Sequence, residues 1–135
     1  MLRKNAKIEL IKRVPLFERL SKRELEEIAL LADELDLPAG RNLTREGAAG
    51  REFVVLADGT ADVRRSGRTI NRLGAGDFLG ELALVTGRPR SATVTTTSNA
   101  RLLVITSAAF RRLMRDMPSI QEKVLDAVAS RLPED

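Results

Sequence analysis

Turn-forming residues interrupt this chain at short intervals from Pro38 to Pro89: Pro38-Ala39-Gly40, Gly47, Asp58-Gly59, Ser66-Gly67, Gly74-Ala75-Gly76-Asp77 and Gly87-Arg88-Pro89. Spacing this close leaves little room for a helix of ordinary length, but it suits short strands joined by tight turns. The runs between the turns are apolar or alternating. They predict strands at Glu34 to Leu37, Asn42 to Arg45, Glu52 to Ala57, Thr60 to Arg65, Thr69 to Leu73, Ala92 to Thr97 and Arg101 to Thr106. The β-branched content of Ala92-Thr93-Val94-Thr95-Thr96-Thr97 and Leu102-Leu103-Val104-Ile105 supports strand over helix there. The rhythm is that of an all-β barrel or sandwich.

Helical spacing holds on either side of this region. Ile8, Ile11 and Val14 share one face of a first short helix, Pro15 interrupts it, and Leu16, Phe17 and Leu20 make an apolar knot. Ser21 followed by Glu24 forms a capping box for a second helix, whose stripe is Leu25, Ile28, Ala29 and Ala32. After the strands, Ser107 is the expected cap of a helix carrying Phe110, Leu113, Met114 and Met117. Pro118 breaks it, and Ile120, Val124, Leu125, Val128 and Leu132 mark a last helix before Pro133. The expected architecture is mainly β with flanking helices. Residues 1–34 form N-terminal helices, 35–106 a β-roll and 107–132 two C-terminal helices, all within one domain, 1–135.

Composition narrows the chemistry. A chain of 135 residues buries roughly two-thirds of its unfolded surface, enough to fold without cross-links, and it contains neither cysteine nor histidine. The ordinary ligands of zinc, copper and non-haem iron are therefore missing, as are the usual general base and every Ser-His or Cys-His nucleophile. A cupin-like metal enzyme on the same small roll falls on this point, and the expectation is a protein that is not an enzyme. The net charge of +4 is spread evenly along the chain, and the only aromatics are Phe17, Phe53, Phe78 and Phe110, all within apolar patterns. Nucleic-acid binders usually show a clustered basic face with stacking aromatics, so neither charge nor aromatics point to one. No apolar run approaches the length of a membrane span and no signal-peptide core follows Met1, so the expected location is the cytoplasm, with no membrane contact.

One stretch, Gly76 to Val94, breaks the strand rhythm. Glu81 to Val85 suits a single helical turn that begins just after Gly80. A helix start exposes unpaired N–H groups, and a glycine there admits a ligand close to the backbone. Nine residues on, Arg90 offers a planar guanidinium able to pair two phosphate oxygens, and Ser91 adds a hydroxyl. Glu81 accepts hydrogen bonds only, which suits a sugar hydroxyl. On pattern alone a second account is equally open, in which Glu81 and Arg90 form an ion pair closing a hairpin and Gly80 is simply a turn.

The run Phe78-Leu79-Gly80-Glu81-Leu82-Ala83-Leu84, followed by Pro89-Arg90-Ser91-Ala92-Thr93-Val94, resembles the phosphate-binding cassette of the cyclic nucleotide-binding domain family. That family includes the bacterial catabolite activator protein, the regulatory subunits of cyclic AMP-dependent protein kinase and the gating domains of cyclic nucleotide-modulated channels. Val14-Pro15-Leu16-Phe17 and Arg45-Glu46-Gly47 extend the resemblance over nearly the whole chain. It implies an eight-stranded roll and a cassette at 78–92. In that cassette Arg90 looks like the arginine that meets the cyclic phosphate, and Glu81 like the glutamate on the ribose 2′-hydroxyl. Gly80, Leu82 and Ala83 would border the ribose-phosphate, and Ser91 and Ala92 the phosphate side, with Phe78 and Leu79 supporting them from the core.

Many relatives place an aromatic over the purine from the last helix. Residues 120–132 contain none, so the lid candidates are Val128, Arg131 and Leu132. The resemblance implies a ligand rather than a cofactor: cyclic AMP first, because serine at position 91 is common in bacterial cyclic AMP receptors, with cyclic GMP as the alternative. It further implies a receptor module whose C-terminal helices move on binding and which regulates a separate, unidentified protein partner. No DNA-binding domain is expected, since the only free helices carry apolar stripes and the sequence stops at Asp135. The competing expectation is a degenerate structural or interaction module of the same fold that no longer binds nucleotide.

Overall fold

The computed structural model of the chain describes residues 4–131. Helix α1 (Lys4–Lys12) leads through a 3-10 turn (Pro15–Phe17) to α2 (Lys22–Leu31). The capping box is formed as expected: the Ser21 hydroxyl accepts from Glu24 N at 3.1 Å, and Ser21 N donates to the Glu24 carboxylate at 2.9 Å. Eight strands follow: β1 (Asp33–Leu37), β2 (Asn42–Thr44), β3 (Glu52–Asp58), β4 (Ala61–Arg65), β5 (Arg68–Leu73), β6 (Phe78–Leu79), β7 (Thr93–Thr96) and β8 (Ala100–Thr106). Helix α3 (Glu81–Thr86) lies between β6 and β7, and α4 (Ser107–Asp116) and α5 (Pro118–Arg131) complete the described chain.

Among the described residues all pairings are antiparallel, in two four-stranded sheets ordered β1-β8-β3-β6 and β2-β7-β4-β5. The seven predicted strands are present to within a residue or so at each end. The eighth, β6, is only two residues long and belongs to the segment whose pattern departs from strand spacing. A second difference concerns the cap of α4. The capping side chain is Thr106, which is extended and accepts from Ala109 N at 3.2 Å, whereas Ser107 is already helical. A capping residue must keep non-helical dihedrals while its oxygen reaches the third helical N–H, and the last residue of β8 satisfies both conditions. Pro118 does end α4, and it also opens α5 as its first residue, where its missing N–H costs nothing.

The core has two parts that share β3 and β8. Phe53 and Val55 of β3, with Leu103 and Ile105 of β8, face the helices and pack with Ile11, Phe17, Ile28, Phe110, Leu113 and Val124. Val54 and Leu56, with Ala100 and Leu102, face the interior of the roll and pack with Ala61, Leu73, Leu79 and Val94. Because side chains alternate along a strand, a strand covered on both faces reads as a continuous apolar run, as Phe53 to Leu56 does. The β3–β8 register places Phe53 opposite Ile105 and Leu56 opposite Leu102, so each face is closed by cross-strand pairs.

Candidate functional site

A cavity of about 270 Å³ opens on the roll beside α3. Its apolar wall comes from β4, β5, β6 and β7, through Val63, Ile70, Leu73, Leu79 and Val94; its polar wall comes from Thr44, Arg65 and Asn71 and from Gly80, Glu81, Arg90 and Ser91. Six of the predicted site residues, Gly80, Glu81, Ala83, Arg90, Ser91 and Ala92, line this one space. The Leu82 side chain lies outside what is described. Val128 is not among the residues lining the cavity: it is 7% exposed and belongs to the helical core with Val124 and Ile120. Covering a base from this position would require α5 to shift out of that core. The Arg131 side chain and Leu132 lie outside the described residues.

Gly80 has φ +96°, in the left-handed region, and caps the start of α3. A Cβ there would fall 2.6 Å from the carbonyl oxygen of Glu52 and 2.7 Å from Nη1 of Arg90, so the position needs glycine for space as well as for its dihedral angles. Glu81, the first residue of α3, is fully buried and is among the residues that line the cavity. A buried carboxylate is costly unless it has compensating polar neighbours, and the positive charge of Arg90 acts on it here.

The β2–β3 loop holds Arg90. Its backbone N–H donates to Ala48 O at 2.8 Å, and its carbonyl accepts from Gly47 N at 2.8 Å. In the guanidinium, Nη1 donates to Gly80 O at 3.0 Å and Nη2 to Glu52 O at 2.7 Å. These bonds engage two of the five N–H donors that a guanidinium carries. Burial lowers the pKa of Arg90 from its ordinary value, while the carboxylates of Glu52 and Glu81 act in the opposite direction. The group nonetheless remains a cation at neutral pH.

Sequence reasoning missed several wall residues. Arg65 of β4 donates from Nε to Ser91 O at 3.0 Å. The Thr44 hydroxyl of β2 donates to Ala92 O at 3.0 Å and accepts from Val94 N at 3.2 Å. Both fix the backbone that carries Arg90, yet they lie 26 and 48 positions from the residues they hold. Only the closure of the roll brings them there, so no local signal could have found them. Ile70, half exposed on β5, could have been noticed as an apolar residue in an otherwise exposed edge strand.

The arrangement offers two arginines, Arg65 and Arg90, one buried carboxylate and an apolar wall. This suits a small anion that also carries hydroxyl groups and a flat apolar part. Among the described residues no group of three or more His, Cys, Asp or Glu side chains converges to hold a metal ion.

A β-roll flanked by helices, with a cavity lined by arginine and a buried carboxylate beside a short helix, is the architecture this chain shows. The family model described as cyclic nucleotide-binding domain matches residues 34–117, and the chain belongs to that family. It is 37% identical over 119 residues to a cAMP-dependent protein kinase regulatory subunit of Mycosarcoma maydis, covering 82% of this chain and 23% of that protein. It is 34% identical over 116 residues to a cyclic nucleotide-gated potassium channel of Rhizobium etli, covering 86% of this chain and 32% of the channel. The chain thus spans a third or less of these relatives. Among solved structures it resembles the regulatory domain of Toxoplasma gondii PKA crystallised with cAMP, with a TM-score of 0.82 and 25% identity over 96% of this chain and 51% of that one. The same fold occurs in the regulatory subunit of a cAMP-independent protein kinase A from Trypanosoma brucei, with a TM-score of 0.84 and 17% identity over 96% of this chain and 46% of that one.

Proposed function

We propose that this chain is a receptor module for a cyclic nucleotide, cyclic AMP in preference to cyclic GMP, and that it is not a catalyst. The observation that carries the reading is the convergence of Arg90 and Glu81 on one cavity with an apolar wall. In this reading the Arg90 guanidinium takes the cyclic phosphate, Glu81 accepts from the ribose 2′-hydroxyl, and the backbone at Gly80, Leu82 and Ala83 lies along the ribose-phosphate. Ser91 and Ala92 border the phosphate. The base rests on the aliphatic side chains of Val63, Ile70 and Leu73, which suit either purine. The kinase regulatory subunits and channels among the relatives support the ligand class.

Residues 1–135 act as one unit in this reading. The unit works in the cytoplasm and signals to a separate protein through its C-terminal helices. No helix of the described residues is long and apolar enough to cross a membrane. The preference for adenine rests on Ser91, and discrimination by one hydrogen bond amounts to about 1 kcal/mol, or several-fold. Parallel titrations with cyclic AMP and cyclic GMP test both parts. Saturable binding of both, several-fold tighter for cyclic AMP, is expected. Tighter cyclic GMP binding that disappears in Ser91→Ala would reverse the preference, and no binding of either would leave a structural module of the same fold.

A further inference from the structure

We propose that Gly50, in the loop between β2 and β3, is a positioning residue for the Arg90 guanidinium; the inference rests on the reading that Arg90 takes the ligand's phosphate. The backbone of Gly50 is outside the left-handed region, so conformational freedom does not explain a glycine there. Space does. A Cβ at this position would lie 2.5 Å from Cβ of Ala83, 3.0 Å from Cζ of Arg90 and 3.1 Å from its Nε.

Neighbours of Gly50 restrain the same arginine. Glu52, two residues on, accepts from Nη2 through its carbonyl, and Ala48, two residues before, accepts from the Arg90 backbone N–H. The loop and the first residue of β3 therefore grip Arg90 by its main chain, by one hydrogen bond from its guanidinium and by close contact at Gly50. A methyl group at position 50 would be caught between two neighbours of unequal stiffness. Ala83 is a buried residue of α3 with no flexible end to give way, whereas Arg90 has a long side chain. Moving Arg90 does not relieve the 2.5 Å overlap with Ala83, so the loop and α3 must part; the loop carries with it the Ala48 and Glu52 carbonyls that hold Arg90, and the guanidinium shifts from the cavity wall that the phosphate must meet.

The test is a double-mutant cycle in cyclic AMP affinity. Arg90→Ala weakens binding at least ~30-fold if Arg90 meets the phosphate. Gly50→Ala alone is expected to weaken it about tenfold, within the range of couplings between residues in contact, and to add less than about twofold in the Arg90→Ala background. Wild-type affinity in Gly50→Ala, or the same loss in both backgrounds, overturns the inference while leaving Arg90's role standing. Wild-type affinity in Arg90→Ala instead overturns the reading beneath it. Should Gly50→Ala fail to fold, the pair Gly50→Ala/Ala83→Gly removes the 2.5 Å overlap but keeps the 3.0 Å approach to Arg90. It should bind cyclic AMP more weakly than Ala83→Gly alone, and parity between the two overturns the inference.

Discussion

Arg90 does not wait in the cavity as a free cation; it donates to the carbonyls of Gly80 and Glu52. A phosphate must either use its remaining N–H groups or draw it off one of these carbonyls. Either exchange keeps charge-assisted hydrogen bonds throughout, so little is lost when the ligand arrives. Glu81 differs in being wholly buried, and its proposed partner is a single hydroxyl. Glu81→Ala is therefore expected to cost roughly 1.5 to 3 kcal/mol of cyclic AMP binding, the worth of a hydrogen bond to a charged group. A 2′-deoxy ligand should lose a similar amount against wild type and little more against the variant; full additivity in these titrations would remove Glu81 from that hydroxyl. Both residues were legible in the sequence because their motif is local, a glycine, a carboxylate and an arginine within eleven positions. Gly50 was not, since nothing in Gly47-Ala48-Ala49-Gly50 shows that a guanidinium from position 90 will pack against the last of them.

At the scale of elements, the strands were readable where one or both faces are buried, through alternation or a continuous apolar run. β6 was not, because two residues carry no period; tertiary pairing alone makes Phe78 and Leu79 a strand, opposite Val55 and Val54. That short strand links the site to the helices. Leu79 packs inside the roll at the cavity, while the Phe78 ring lies 5.4 Å from Phe53, whose ring is 4.8 Å from Phe110 of α4. Helix α5 is tied back in turn, with Lys123 donating to Pro15 O at 2.6 Å and pairing with Glu18 at 3.4 Å. A ligand moves such helices only through contacts that differ between two states, and a cassette packed through Phe78 provides a route. Hydrogen exchange with and without cyclic AMP should show protection across residues 80–92 together with altered exchange across 108–131. Protection confined to the first segment would mean that the module binds without switching.

For the molecule as a whole, the two core clusters divide the work. One joins the helices to the outer face of a sheet, the other fills the roll beneath the cavity, and β3 and β8 belong to both. The helix–roll–helix order was legible from the change between helical and strand spacing. How the helices lie relative to the cavity was not, and Val128 shows why: its spacing places it on an apolar stripe, but only packing decides whether that stripe faces a ligand or a neighbouring helix. The central claim is that Arg90 binds the phosphate of a cyclic nucleotide in the roll. Its most direct test is calorimetric titration of wild type and Arg90→Ala with cyclic AMP, each variant first shown to be folded by its thermal melt. Truncating one partner of a buried charge pair costs about 2 to 5 kcal/mol, so saturable one-to-one binding by wild type and a loss of at least ~30-fold in the variant are expected. Equal affinities in the two proteins, or no binding by wild type, would contradict it.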